Sequence, residues 1–274
     1  MFITGLCLKC MRKGLKVLDE CEILRFDRVN RVFESLKRFV VLEEIIDVHI
    51  NGVFYASFHC LPMQIRELIV GHLLTEGIVE DAKNIVEVEA SGNNVYVKLS
   101  EDYGSAFRRQ RLINTFCGGN IQLHFSGKVN KLRFNRMRFS AETVFKSIEA
   151  LNKFSSLHKV SGGTHSAVLV NGEGDIISFA EDVGRHNAVD KVVGEAALKN
   201  VDLTKLLLAS TGRLTSEIVA KAIRVGIPVL ASLAAPTSLG VKIASNFGLT
   251  LIGFARGRYF NIYTFPERIK IAED

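Results

Sequence analysis

The stretch NTFCGGN, Asn114 to Asn120, sets one cysteine against a glycine turn with no second cysteine close by. Two residues without side-chain bulk follow Cys117 and leave its sulfur open to approach, which reads as a reactive thiol in a loop rather than a structural one in a core. The nucleophile is the thiolate, so such a position gains from nearby positive charge. Arg108, Arg109 and Arg111 stand just upstream and would lower the Cys117 pKa if the fold brings them close.

Four other stretches carry chemistry. EDVGRHN, Glu181 to Asn187, packs two carboxylates, a guanidinium and an imidazole into seven residues where a strand pattern passes into a helix pattern. Asn187 is expected to cap that helix, whose free N–H groups and positive end suit an anion. Arg185 adds a planar fork for carboxylate or phosphate, with His186 beside it. The plain alternative is a surface turn with a cap and a salt bridge. SGGTH ends on His165, STGR on Arg213, and FARGRY runs Phe254, Ala255, Arg256, Gly257, Arg258, Tyr259 after the last apolar strand. Freed backbone N–H groups, hydroxyls and arginines are the parts of phosphate cradles, although no loop matches GxxxxGK[ST] or GxGxxG. Together they point to a large polyanionic ligand held by several loops, such as a mononucleotide or a phosphorylated cofactor.

The elements that must position these residues fall into two styles. In the first half, strands start at Phe39 and turn at Asn51-Gly52 into VFYASFH, a hairpin signal. A helix follows Pro62 and stops at Gly77, and two short strands flank Ser91-Gly92-Asn93. In the second half strand and helix alternate: SAVLV, DIISFA, a helix from Asn187 to Lys199, LLLAS, a helix from Ser216 to Val225, PVLAS, a helix from Leu239 to Phe247, then LTLIGFA. Strands as apolar as Leu206–Ala209 and Val229–Ala231 need helices on both faces, so the expectation is a layered α/β sheet with ligand loops at the strand carboxyl ends. The divisions read as an N-terminal extension over 1–36, a smaller β-rich part with the Cys117 loop over 37–140, and an α/β domain over 141–274.

With 274 residues and 47% hydrophobic content, the chain buries a core without disulfide staples. Its net charge of +6 reflects 35 basic against 29 acidic residues, gathered most visibly in Phe107–Arg111 and Lys128–Arg138. These are solvated basic loops or a specific anion site. Without tryptophan or an RNA-binding signature, no nucleic-acid partner is expected. Five cysteines, an odd number, argue against a secreted disulfide framework and for a reducing cytoplasm. The apolar start is interrupted at Lys9, and no apolar run approaches the roughly 20 residues of a membrane span, so a soluble, unexported chain is expected. Cys7 and Cys10 have metal spacing but no partner pair downstream. His49, His59, His72 and His124 read as packing or surface positions, and Cys60 as a small core residue.

The runs GGTHSA, EDVGRHNAVDKVVG, STGRLTSEIVAKA, GIPVLASLAAPTSL and GLTLIGFARGRYFNIYTFPERI, with VLEE and GHLLTEGIV earlier, resemble the formate dehydrogenase accessory sulfurtransferase (FdhD) family from about Phe39 to Ile269. The resemblance implies a cytidine deaminase-like three-layer α/β sandwich with a smaller N-terminal β-rich part, forming a homodimer. It implies sulfur taken from a cysteine desulfurase and passed to the bis-molybdopterin guanine dinucleotide cofactor of formate dehydrogenase. Cys117 matches the first cysteine of the family's CGxCG loop, which carries the persulfide, whereas Asn120 stands where the second would be. Phe254–Tyr259 matches the family's cofactor-binding segment. Transfer would then run through Cys117 alone, or the protein would bind and present cofactor without handling sulfur. A zinc deaminase needs HxE and PCxxC, and neither occurs; a cysteine hydrolase pairing Cys117 with His165 or His186 is the remaining alternative.

Overall fold

Strand β1 (Leu18–Asp27) pairs antiparallel with β2 (Val32–Val41), so the division placed after residue 36 falls inside β2. Both faces of this ribbon are largely exposed, which leaves no apolar alternation for the sequence to show. The computed structural model describes residues 16–100, Leu132 and residues 135–271; Cys117 and its loop, Phe107–Arg111, Cys7, Cys10 and His124 lie outside the described residues.

β3 (Glu44–Ile50) and β4 (Val53–Cys60) form the expected hairpin. Asn51 and Gly52 have φ of 47° and 80°, the two left-handed residues that this two-residue turn requires. Helix α1 (Ile65–Thr75) starts three residues after Pro62 and is closed by Gly77 at φ 71°. β5 (Ile85–Ser91) and β6 (Asn94–Leu99) complete a four-stranded sheet in the order β4-β3-β6-β5.

After β7 (Phe139–Ser140), Ser140 caps α2 (Ala141–Phe154) by accepting the Thr143 N–H at 2.9 Å, and a short helix α3 (Ser156–Ser161) follows. Then come β8 (His165–Val170), β9 (Ile176–Asp182), α4 (Arg185–Leu198), β10 (Leu207–Ser210), α5 (Ser216–Arg224), β11 (Val229–Ser232), α6 (Ser238–Phe247), β12 (Thr250–Arg256), β13 (Tyr259–Thr264) and β14 (Ile269–Lys270). Six of these strands make one sheet ordered β13-β12-β11-β10-β8-β9, with β10, β11 and β12 parallel and the outer pairings antiparallel.

The uniformly apolar strands sort their side chains by period two. Leu207, Ala209, Val229 and Ala231 join the cluster containing Val144, Ile148 and Leu151 of α2. Leu208, Leu230 and Leu251 join the cluster containing α1 and α4. Helices therefore cover both faces, as such strands need. That second cluster also holds Ile46, Val48, Val95 and Val97 of the four-stranded sheet, so the N-terminal strands and the α/β sheet share one core.

Where α1 crosses α4 the backbones touch. A Cβ at Gly71 would lie 1.7 Å from the Asp190 carbonyl oxygen, and one at Gly194 1.9 Å from that of Glu67. A buried ion pair adds a second tie: Lys191 Nζ is 2.6 Å from Asp182 Oδ2, Asp182 Oδ2 accepts the Leu61 N–H at 3.2 Å, and Lys191 donates to the Leu61 carbonyl at 3.1 Å.

Candidate functional site

The parallel strands β10, β11 and β12 end on one rim, where their loops are zipped together. Ser232 Oγ donates to the Gly212 carbonyl at 2.7 Å, Leu214 N to Ala235 O at 3.1 Å, and Phe254 N to Ala234 O at 3.1 Å. The antiparallel β8 starts on the same rim and β9 ends there, since His165 pairs with Asp182 and Ala167 with Ser210. This juxtaposition brings three of the loops singled out in the sequence into contact.

Thr211 Oγ1 accepts the Ser166 N–H at 3.0 Å and lies 3.1 Å from His165 Nδ1. The stem of Arg185 lies on Gly212, where an added Cβ would sit 2.8 Å from Arg185 Cβ and 2.9 Å from its Cδ. Glycine is thus needed there for close approach rather than for a turn. His186 Nε2 is 3.1 Å from Glu217 Oε2, at ion-pair distance but outside hydrogen-bond geometry. Arg185 Nε, His186 Nε2 and Thr215 Oγ1 are all buried without a hydrogen-bond partner. Each is a buried polar atom that calls for an explanation, and their shared place at the strand ends makes the rim the candidate site.

Burial, then Arg185 and His158, push the His165 pKa down. Burial, then Lys221 and Arg185, push that of His186 down to about 4, against Glu217 and Asp190. Both rings are neutral near pH 7, each with one donor and one acceptor nitrogen. The rim so combines a guanidinium with uncharged hydrogen-bonding groups, and Arg213 is exposed beside them.

The Phe254–Tyr259 segment lies further along the rim, reached through the Ala234–Pro236 loop. Phe254 has φ 52°, a rare conformation for a bulky residue, and the Arg256 guanidinium sits 5.9 Å from its ring centroid. Arg256 pairs with Tyr259 across a turn in which Gly257 has φ 59°. Arg256, Arg258 and Tyr259 are exposed, while Ala255 is fully buried in the core under α2 and contributes packing.

Two readings of EDVGRHN change. Glu181 accepts from Leu157 N, His158 N and Thr164 Oγ1 at 3.1, 2.9 and 2.8 Å, while Asp182 accepts from Leu61 N and Gly184 N besides its pairing with Lys191. The carboxylates of this motif are therefore committed to holding backbone. Asn187 caps nothing: Gly184 is the N-cap of α4, and Asn187 Nδ2 donates to Asp182 Oδ1 at 2.9 Å and His59 O at 2.8 Å. Cys60 is fully buried, with its thiol pushed up to about 12 by burial, and so is an inert core residue.

Sequence reasoning missed a buried polar cluster beneath the rim. Lys221 Nζ lies 3.0 Å from both Asp190 oxygens and 2.7 Å from Glu76 Oε1. His72, read as a packing or surface position, sits 3.4 Å from Asp190 Oδ2 through Nδ1 and 2.9 Å from the Tyr55 hydroxyl through Nε2. Its one sequence signal was charge on otherwise apolar helix faces. Among the described residues no group of three or more His, Cys, Asp or Glu could hold a metal, and no helix is long and apolar enough to cross a membrane.

A mixed sheet with helices on both faces, whose strand-end loops gather a guanidinium, neutral imidazoles and hydroxyls, defines an α/β protein with its candidate site at the carboxyl rim. The FdhD/NarQ family matches residues 41–270, and the chain belongs to that family. It is 39% identical to the sulfur carrier protein FdhD of Saccharolobus solfataricus, over 90% of this chain and 98% of that one. It is 31% identical to the protein of that name from Staphylococcus haemolyticus, over 94% and 98%. A crystal structure of a candidate formate dehydrogenase accessory protein from Desulfotalea psychrophila superposes with a TM-score of 0.78 at 25% identity, covering 93% of this chain and all of that one.

Proposed function

We propose that the chain is a sulfur carrier for formate dehydrogenase, loaded on Cys117 by a cysteine desulfurase and delivering to the molybdenum bis(molybdopterin guanine dinucleotide) cofactor as cargo. Near end-to-end similarity to sulfur carrier proteins FdhD carries this reading. The Cys117 thiolate attacks the outer sulfur of the donor persulfide, the donor S–S bond breaks, and the donor cysteine leaves as thiolate. This exchange needs no oxidant. Asn120 supplies no second thiol, so the persulfide has no partner within the NTFCGGN loop and stays on Cys117 until handed on.

The rim fits a phosphate-bearing cargo. Arg185, with its unpartnered Nε over Gly212, and Arg213 would take phosphate oxygens; neutral His165 and His186 would hydrogen-bond without adding charge. Phe254 and Tyr259 would offer ring faces to a purine, flanked by Arg256 and Arg258. The working protein is a cytoplasmic homodimer, and the six-stranded sheet with helices on both faces is read as a cytidine deaminase-like sandwich without that class's zinc motif. The Asn120 position favours one rival, a cofactor carrier that handles no sulfur.

Intact-protein mass spectrometry after incubation with a cysteine desulfurase and cysteine tests the proposal. The native chain should gain one reducible sulfur and Cys117→Ala none, while both retain binding of a guanine dinucleotide. No gain on the native chain would favour the carrier.

A further inference from the structure

A ladder of ionisable side chains runs from the rim into the core between α4 and α5. His186 and Asp190 stand one turn apart on α4, and Glu217 and Lys221 one turn apart on α5, a spacing that puts each pair on one helix face. The outer rung sets His186 Nε2 3.1 Å from Glu217 Oε2 without a hydrogen bond, with side chains 31% and 42% exposed. The inner rung joins Lys221 to Asp190 at 3.0 Å, with side chains 4% and 1% exposed. Helix α1 closes the inner end: Glu76 Oε1 lies 2.7 Å from Lys221 Nζ, and Thr75 Oγ1 accepts from Lys221 at 3.0 Å and donates to Asp190 Oδ1 at 2.6 Å.

A buried ion pair is seldom kept for stability, because apolar residues of similar volume pack as well. This pair has a position to set. We propose that Lys221 is a positioning residue of the rim, acting through the outer rung: clamped by Asp190 and Glu76, it fixes α5 against α4 and so holds His186 beside Arg185 for a phosphate-bearing ligand. The groups facing His186 are Arg185 and Asp190 on α4 and Glu217 and Lys221 on α5, with His72 and Glu76 of α1 behind them. Burial and the two cations hold the ring neutral against the carboxylates. The inference rests on reading the rim as a polyanion site.

The test uses the full chain with Lys221→Met and Lys221→Arg. The His186 ring is titrated by NMR, and binding of diguanosine diphosphate, whose bridging phosphates do not titrate between pH 5 and 8, is measured by calorimetry at both ends of that range. In Lys221→Met, which removes the buried ammonium beside Asp190 and Glu76 that also bears on His186, the His186 titration should rise by about one pH unit or more and the affinity ratio between pH 5 and 8 should change by about threefold or more. Lys221→Arg should restore both. An unmoved His186 titration with equal weakening at both pH values would overturn the proposal and leave Lys221 a mere packing group. Should Lys221→Met fail to fold, Glu217→Gln at the half-exposed outer rung must lower the His186 titration; no change there overturns it. A His186 shift in a chain that never binds the dinucleotide would sink the polyanion reading instead, so the two failures are distinguishable.

Discussion

His186 and Glu76 make the folded chain acid-sensitive from two directions. His186 is held at about 4, below its ordinary 6.5, by burial first and then by Lys221 and Arg185. Between those values the unfolded chain binds a proton that the folded chain refuses, so stability falls as pH drops through that window. Burial pushes Glu76 up, yet Lys221, His72 and Arg224 outweigh it and bring its carboxyl from 4.5 to about 2. Its contribution is complete above 4.5 and is lost as pH falls toward 2. Thermal melts should therefore lose Tm progressively below about pH 6.5, and His186→Gln should lessen the slope between about 6.5 and 4, where His165, also held below its ordinary value, keeps a share, while leaving the lower segment. A wild-type slope above pH 5 surviving undiminished in the variant would show that His186 is not its source. Cys60 makes the companion point: a cysteine's meaning lay in its surroundings, since burial silences its thiol.

At the scale of elements, the α1–α4 crossing sets the site's floor. Gly71 and Gly194 let the helix backbones touch, and this contact brings His72, Thr75 and Glu76 against Asp190 and Lys221. Alanine in an exposed helix stabilises by about 1 kcal/mol over glycine. Here the new methyl has backbone oxygen within 2 Å, so the helices must part and the sign reverses. Gly71→Ala should destabilise by roughly 3 kcal/mol or more in urea unfolding, since overpacking against backbone exceeds the usual side-chain case. A gain in stability would show that the helices are free to separate. Helical periodicity located α1 and α4, but nothing in their local pattern announced that they cross glycine to glycine.

Across the whole molecule, the N-terminal sheet and the six-stranded sheet rest on one apolar cluster, with Lys191 and Asp182 pinned between them at full burial. Removing the ammonium leaves a buried carboxylate unpaired, and Lys191→Met should cost about 3–5 kcal/mol. Because the core is shared, far-UV circular dichroism and tyrosine fluorescence should report one coincident transition in the native chain and in the variant. Two separated transitions would mean that the N-terminal strands fold on their own.

The sequence alone determined what depends on neighbours in the chain: the Asn51-Gly52 hairpin, the Gly77 stop, the alternating strands and helices of the second half, and the polar loops at strand ends. These are local patterns, written in runs of a few residues. The β1–β2 ribbon escaped because both its faces are exposed, and β13 because its outward positions Tyr259 and Tyr263 are themselves aromatic and mask the alternation. Tertiary structure alone decided which polar residues of EDVGRHN were free. Asp182 is taken by Leu61, more than a hundred positions away, and Glu181 by the start of α3, which leaves Arg185 and His186 for the rim. It alone joined Glu76 to Lys221 and His72 to Asp190, because a hydrogen bond or ion pair depends on distance in space, which sequence separation does not supply.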